Sequence, residues 1–324
     1  MPGLIPDTPQ FAFVGLGNLG QHMALNLAKH LATLQPAHPP LQVWTRTTSK
    51  AQAFAKENGS IVKAVENLDD IAANCDVIVT SLANDAAVQE VYKALMKAET
   101  ARPKKNGTKT IFLDTSTMYP DITKRIHDDV VASDTRCFFQ APVFGPPPMA
   151  KSASLVYVIA GAKEPRAVVE PYLVPSTGRK IMDFGDDVTK ASAFKLIGNS
   201  IVLSTVEMLA ETMTLADKAG IGADRVQEWI ELFYPAPSAI GYGNKILNNK
   251  FAADGGFTVA GGLKDARHIK RLGEENNCPM HITERAIQHL LVSQEASKGQ
   301  DKDWSSLVAG QRKESGLPLW PEHQ

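Results

Sequence analysis

An α/β domain built on a doubly wound, mostly parallel sheet, followed by an all-α domain, is the architecture this sequence predicts, and three observations predict it. Short apolar runs of strand type alternate with helical patterns over the first half of the chain. The first run, Phe11 to Val14, passes straight into a three-glycine turn and an apolar-periodic helix. From Ala191 to Lys218 one proline-free segment is apolar on more than one face, and everything after it reads as helices and loops. With 324 residues two domains are expected, 1–187 and 188–324.

The turn after the first strand is Gly15-Leu16-Gly17-Asn18-Leu19-Gly20. Gly15 permits the tight turn, Gly17 lets backbone approach a pyrophosphate with no side chain between, and Gly20 allows close packing of helix on strand. The following helix carries the stripe Met23, Leu27, Leu31 and turns its N-terminus, with the positive end of its dipole, toward the phosphates. The first domain is therefore expected to be a dinucleotide-binding Rossmann domain, with residues 15–20 as cofactor contacts. A proline-rich insertion, Gln35 to Pro40, delays the second strand, Leu41 to Trp44. Ile61 to Val65 is a short third. Cys75 to Leu82 and Thr110 to Leu113 are continuous apolar runs of buried parallel-strand type, with a helical pattern over Ala86 to Ala98 between them. Cys137 to Ala141 and Leu155 to Ala160 are expected to extend the same sheet, with 142–154 a loop. The long segment ending at Lys218 is closed by Ala219-Gly220, a C-cap signal.

Composition narrows the partners. A net charge of -1, with 44% hydrophobic and 21% charged residues, argues against a polyanion-binding surface, and no basic run interleaved with aromatics suggests nucleic acid. Cys75, Cys137 and Cys278 are odd in number and far apart, which indicates neither a disulfide framework nor a metal knuckle; the first two lie beside apolar runs as core thiols. No stretch reads as long and charge-free enough to span a membrane. The first arginine is Arg46, which disfavours an Arg-rich transit peptide, so a cytoplasmic enzyme acting on small molecules is expected.

The end of the second strand bears on the nucleotide. An acidic residue there would hydrogen-bond a ribose 2′-hydroxyl, whereas an arginine can pair with the 2′-phosphate of NADP. The sequence runs Trp44-Thr45-Arg46-Thr47-Thr48-Ser49 without a carboxylate. Arg46 supplies a guanidinium fork, and Thr45 and Thr47 add neutral donors. NADP is expected, with NAD the other possibility.

Chemistry is suggested by Ala193-Phe194-Lys195-Leu196-Ile197-Gly198-Asn199, which sets Lys195 and Asn199 one turn apart on an otherwise apolar helix. Desolvation disfavours an ammonium and brings a lysine toward proton transfer. Asn199, donor and acceptor both, can hold a substrate carbonyl or carboxylate. The structural alternative is a lysine that snorkels to water beside a satisfied core amide.

These motifs together resemble the β-hydroxyacid dehydrogenase family, whose members include 3-hydroxyisobutyrate dehydrogenase, glyoxylate and succinic semialdehyde reductases and, more distantly, 6-phosphogluconate dehydrogenase. The resemblance covers about Phe11 to Cys278. The N-terminal signature carries Leu19 where methionine is usual, Thr45-Arg46-Thr47 is similar to the family's NADP turn, and Leu82-Ala83 stands for its leucine-proline cofactor loop. Asp114-Thr115-Ser116-Thr117 is intact, which implies that Ser116 touches the substrate carboxylate and Thr117 the cofactor. Lys195 and Asn199 match the lysine-x-x-x-asparagine pair, in which the lysine is the general acid/base. Lys264-Asp265 matches a lysine-aspartate pair whose lysine sits by the nicotinamide. The substrate loop departs: aspartate-alanine-proline-valine-serine-glycine-glycine becomes Gln140-Ala141-Pro142-Val143-Phe144-Gly145-Pro146. Pro146 removes an N–H donor that could face a carboxylate, so Gly145 remains as the loop's substrate contact. Phe144 and Met149 suggest a bulkier or more apolar acid or aldehyde, or a stiff loop packed inward.

The expected activity is hydride transfer between a nicotinamide and a 3-hydroxy (or 2- or 4-hydroxy) acid and its oxo or semialdehyde form. Lys195 moves the proton while Ser116, Gly145 and Asn199 orient the substrate. An imine reductase-like enzyme is the alternative chemistry, though there the lysine is generally replaced. A non-catalytic NADP-binding scaffold is the alternative class. The apolar load of the Ala191 to Lys218 helix, ~40 Å long at ~1.5 Å per residue, predicts a homodimer built on the helical domain, as the resemblance also implies.

Overall fold

In the computed structural model residues 4–101, 108–253 and 256–321 are described. The chain's own contacts divide it into two units, Met1–Lys195 and Leu196–Gln324.

The first unit contains a six-stranded, all-parallel sheet made by β1 (Phe11–Val14), β2 (Leu41–Trp44), β3 (Val62–Ala64), β4 (Val77–Thr80), β5 (Thr110–Asp114) and β6 (Arg136–Gln140). The spatial order β3-β2-β1-β4-β5-β6 reverses direction beside β1. That reversal opens the crevice at the carboxyl ends of the strands where such sheets bind ligands. Alternation of side chains along each strand sorts the core onto two faces. Phe11, Phe13, Val43, Val79, Leu113 and Phe139 pack against Met23, Leu27 and Leu31 of α1 (Gly20–Thr33). Ala12, Val14, Ile78, Phe112 and Phe138 pack on the other face. There they meet Ile71 of α3 (Leu68–Asn74), Tyr92 and Leu95 of α4 (Asp85–Ala101) and Ile126 of α5 (Pro120–Val131), while α2 (Thr48–Asn58) follows β2. Local chemistry starts these helices: Asn67 caps α3 by accepting from the Asp70 N–H (2.8 Å), and Pro120 opens α5, where a missing N–H costs nothing.

One expectation about the sheet is corrected. The run Leu155 to Ala160 does not extend the parallel sheet. It forms β8 (Leu155–Ile159) of a separate three-stranded sheet, antiparallel to β7 (Val143–Phe144) and parallel to β9 (Gly178–Asp183). Among the described residues an isolated antiparallel bridge, Gln140 to Ala160, links it to the end of β6. An apolar run reports burial but not which strand it pairs with, and two-residue β7 is too short to leave a periodic signal. The segment 142–154 is likewise more than loop, holding β7 and the short α6 (Pro147–Lys151). Between β8 and β9 lies α7 (Lys163–Leu173).

Helix α8 (Val188–Lys218) starts three residues before the expected Ala191. Its C-terminus closes as a Schellman motif: the Ile221 N–H donates to Ala216 O (2.9 Å), the Gly220 N–H to Asp217 O (3.2 Å), and Gly220 takes φ +71°. Contrary to expectation, α8 is long and apolar enough to cross a membrane by length and composition, yet more than half of that stretch is buried in the protein. In the second unit, Leu203, Val206, Leu209 and Met213 of α8 share a core with Ile230 of α9 (Ala223–Phe233) and Ile246 of α10 (Pro237–Leu247). Leu263 and Ala266 of α11 (Val259–Glu275), Leu290 of α12 (His281–Ala296) and Val308 of α13 (Val308–Glu314) complete it.

Candidate active site

The glycine turn has the geometry its sequence calls for. Gly15 lies at φ +108°, and a Cβ there would sit 2.2 Å from Ser81 O. A Cβ on Gly20 would sit 2.2 Å from Gly15 O, so α1 is held against the turn. At Gly17, which is exposed, a Cβ would meet nothing within 4 Å. The turn thus has two glycines required by packing and a middle one facing open space, the division of labour a pyrophosphate site needs. Asn18 is exposed, Leu19 half-buried and Leu16 buried. The Gly15 N–H donates to Trp44 O (2.8 Å), which sets the turn beside the end of β2. There Thr45 is half-buried and Arg46 and Thr47 are exposed just ahead of α2.

Around the ends of β4, β5 and β6 lies a buried polar network. Asp114 is fully buried and accepts from the hydroxyl of Thr80, from the Ser116 N–H (2.8 Å) and from the Ser116 hydroxyl (3.3 Å). Thr80 has one hydroxyl hydrogen and gives it to Asp114, so the Tyr92 hydroxyl donates to Thr80 (3.1 Å). Burial pushes the Asp114 carboxyl up to about 6, against the lowering pull of hydrogen bonds from Thr80, Ser116 and Gln140. Burial, and then the nearby Asp114 charge, push the Tyr92 phenol well above its ordinary range.

Ser116 and Leu82 are brought together: the Leu82 N–H donates to Ser116 Oγ (2.8 Å). Ala83 beside it is exposed and Thr117 half-buried. Gln140 is buried, and its amide donates to Ser116 O (3.0 Å). The departure from aspartate at this position therefore supplies a donor that braces the Ser116 backbone.

Lys195 is buried, with 8% of its surface exposed, and its Nζ lies 4.3 Å from the centroid of the Phe144 ring, a cation–π distance. Phe144 packs edge-on to Phe194 (6.2 Å between centroids), which lies 4.6 Å from Phe184. Gly145, next to Phe144, takes φ +137°, and a Cβ there would meet Leu155 at 2.7 Å. The residue that departs from the resemblance is thus in contact with the lysine that matches it.

In the second unit Asn199 is buried, and its amide donates to Asp265 Oδ2 (2.7 Å) while Lys264 Nζ pairs with Asp265 Oδ1 (3.0 Å). Asp265, 1% exposed, bridges the two expected site residues. Sequence reasoning named Asp265 without giving it a role and missed Thr80 and Tyr92. The available signals were an acid on the apolar face of α11, between Leu263 and Ala266, and a threonine closing a run of buried aliphatics.

Residues 10–185 match the family model described as the NAD binding domain of 6-phosphogluconate dehydrogenase, and residues 189–310 match the NAD-binding model of NADP-dependent 3-hydroxyisobutyrate dehydrogenase. The chain belongs to the β-hydroxyacid dehydrogenase family. It is an NAD(P)-dependent oxidoreductase of the hydroxyacid dehydrogenase type. Among its relatives is the NADH-dependent oxidoreductase ucdB of Aspergillus ustus, 28% identical over 299 residues, covering 92% of this chain and 98% of the relative. The mitochondrial 3-hydroxyisobutyrate dehydrogenase of Drosophila melanogaster is 28% identical over 313 residues, covering 93% and 89%. The solved 3-hydroxyisobutyrate dehydrogenase of Mycobacterium tuberculosis shares the fold, with a TM-score of 0.74 at 23% identity over 94% of this chain and 99% of that one.

Proposed function

We propose that this member of the family interconverts a 3-hydroxy (or 2- or 4-hydroxy) acid and its oxo or semialdehyde form, prefers NADP(H), and uses Lys195 as general acid/base. The observation that carries the reading is the burial of Lys195 on α8 with its amine held over an aromatic ring. Burying a lysine is costly, and this one is oriented rather than snorkelling to water. The glycine turn fits a dinucleotide, since Gly17 leaves room where a side chain would otherwise stand. A bound nicotinamide supplies or accepts the hydride. In reduction Lys195 Nζ gives a proton to the carbonyl oxygen and is left a neutral amine; in oxidation it takes the hydroxyl proton. Ser116, Gly145 and Asn199 orient the substrate, Thr117 and Lys264 the cofactor.

Arg46, exposed at a carboxylate-free end of β2, supports the NADP preference, as does the NADP-dependent description of the second family model. The printed name of the Aspergillus relative, which specifies NADH, points the other way and makes the comparison of both cofactors worth measuring. Retention of Lys195 weighs against an imine reductase, and its retention with Ser116 and Asn199 weighs against a non-catalytic scaffold.

The reading includes a homodimer. Ile201, Met208 and Leu215 stand seven residues apart on α8 and are 64%, 40% and 67% exposed, a spacing suited to a second helix packing along them. Light scattering at micromolar concentration should give twice the 35.1 kDa chain mass; a monomer would refute this part.

The deciding experiment is Lys195→Ala. It should bind NADPH nearly normally while losing about 10²–10⁴-fold in rate, the usual loss when a positioned acid/base is removed. Near-full activity would refute the assignment, and loss of NADPH binding would make Lys195 a cofactor or structural residue.

A further inference from the structure

We propose that Phe144 is a specificity-determining residue that selects substrates whose reacting carbon carries an alkyl or aryl group and rejects those with a carboxylate on that carbon. The inference rests on Lys195 as the proton donor and narrows the substrate class of that same site. A carbonyl oxygen hydrogen-bonded to Lys195 Nζ lies about 2.9 Å from it, so the carbonyl carbon stands within about 4 Å of that nitrogen. Nζ is itself 4.3 Å from the Phe144 centroid. With the carbonyl on the ring side of Nζ, the arrangement this proposal takes, the first substituent on the reacting carbon comes within reach of the ring and of Phe194, which packs against it.

An aromatic face is the negative part of its quadrupole, so it attracts the lysine ammonium and repels a carboxylate. An anion brought there would also lose its hydration. The adjoining loop is poor in replacement donors: Pro146, Pro147 and Pro148 have no N–H, and the Met149 and Ala150 N–H groups turn back to Pro146 O. The Ser116 hydroxyl directs its one hydrogen to Asp114 and accepts from the Leu82 N–H, so toward a substrate it offers an acceptor and not a donor. Phe144, Phe184 and Phe194, with Val158 and Ala160, instead make an apolar wall. A carboxylate two or three carbons from the reacting centre escapes this wall, which excludes 2-hydroxy acids from the proposed range and keeps 3- and 4-hydroxy acids.

The test is NADPH-linked reduction of three probes: glyoxylate, with its carboxylate on the reacting carbon; succinic semialdehyde, with its carboxylate two methylenes away; and 3-phenylpropanal, which has none. The wild-type protein should show kcat/KM for 3-phenylpropanal and succinic semialdehyde at least tenfold above that for glyoxylate. Phe144→Ser should narrow this gap by at least tenfold, chiefly through KM. Phe144→Leu, which keeps an apolar side chain of similar bulk, should retain the discrimination. Phe144 is only half-buried, and an unchanged melting temperature confirms that each variant is folded. Glyoxylate used as well as the other two, or a ratio indifferent to Phe144→Ser, would overturn the proposal while leaving the dehydrogenase reading intact. If none of the three is reduced, binding of the alcohols to the NADP-saturated protein by saturation-transfer NMR decides. Preference for 3-phenylpropan-1-ol over glycolate that disappears in Phe144→Ser upholds the selectivity while the hydride-transfer reading fails, and equal binding overturns the selectivity.

Discussion

Two segments that leave the carboxyl ends of strands of one sheet, the turn 15–20 after β1 and the stretch 141–146 with β7 after β6, each contain a glycine with positive φ and otherwise work by opposite means. The first is a backbone device: Gly15 and Gly20 are closed in by neighbouring main chain, and Gly17 leaves a gap. The second is a side-chain device: Phe144 meets Lys195 and Pro146 removes a donor, while Met149 of α6 and Leu155 crowd Gly145. A site that must take a constant pyrophosphate can be built from amides, because what it recognises does not vary. A site that must choose among substrates varies in its side chains.

This contrast can be broken most severely at Gly15. Gly15→Ala would combine a left-handed φ with a main-chain oxygen 2.2 Å from the new Cβ, and a loss of at least about 3 kcal/mol in urea unfolding is expected. A variant as stable as the wild type would mean that the turn has another accessible shape.

The next effect belongs to the network between the two segments. The folded Asp114 carboxyl is raised to about 6 by burial, so between about pH 4 and pH 6 the native state holds a proton that the unfolded chain has lost. Stability from this group is fully present below about pH 4 and is lost as pH rises through about 6, a change on the order of 3 kcal/mol. Unfolding of wild type and Asp114→Asn compared at pH 4, 5, 6 and 7 should show the wild type losing ground to the variant as pH rises. Parallel curves would place the Asp114 titration elsewhere.

Smaller changes sharpen the backbone side of the comparison. Gly17→Ala should leave stability within about 0.5 kcal/mol, since its Cβ meets nothing, yet weaken NADPH and NADH binding alike, by about tenfold or more. Arg46→Ala should weaken NADPH alone, as the loss of a phosphate-pairing guanidinium would. Titration of cofactor fluorescence separates the two, and an equal effect of Arg46→Ala on both cofactors would remove it from the 2′-phosphate.

Much of this was legible in the chain. The strand Leu41–Trp44 coincides with the run that announces it, and the Gly220 stop of α8 lies where the C-cap signal stands, because strand runs and helix caps are written in neighbouring residues. The intact aspartate-x-serine-threonine and lysine-x-x-x-asparagine motifs fall on buried polar residues, Asp114, Ser116, Lys195 and Asn199. Placement of β8 in the main sheet failed because hydrophobicity reports burial without naming a partner. Gln140 read as the loss of an acid, and only its contact with Ser116, 24 residues earlier, turns it into a brace.

By itself, then, the sequence determined the parallel sheet, the glycine turn and the helical second half, since each follows from backbone geometry and from apolar spacing within a few turns of chain. The tertiary structure alone decided that Phe144 lies against Lys195, that Thr80 and Tyr92 feed a buried Asp114, and that Asp265 joins Asn199 to Lys264. Most of these contacts join side chains tens of residues apart, and their energies arise from burial and from distances of a few ångströms, which no local pattern records.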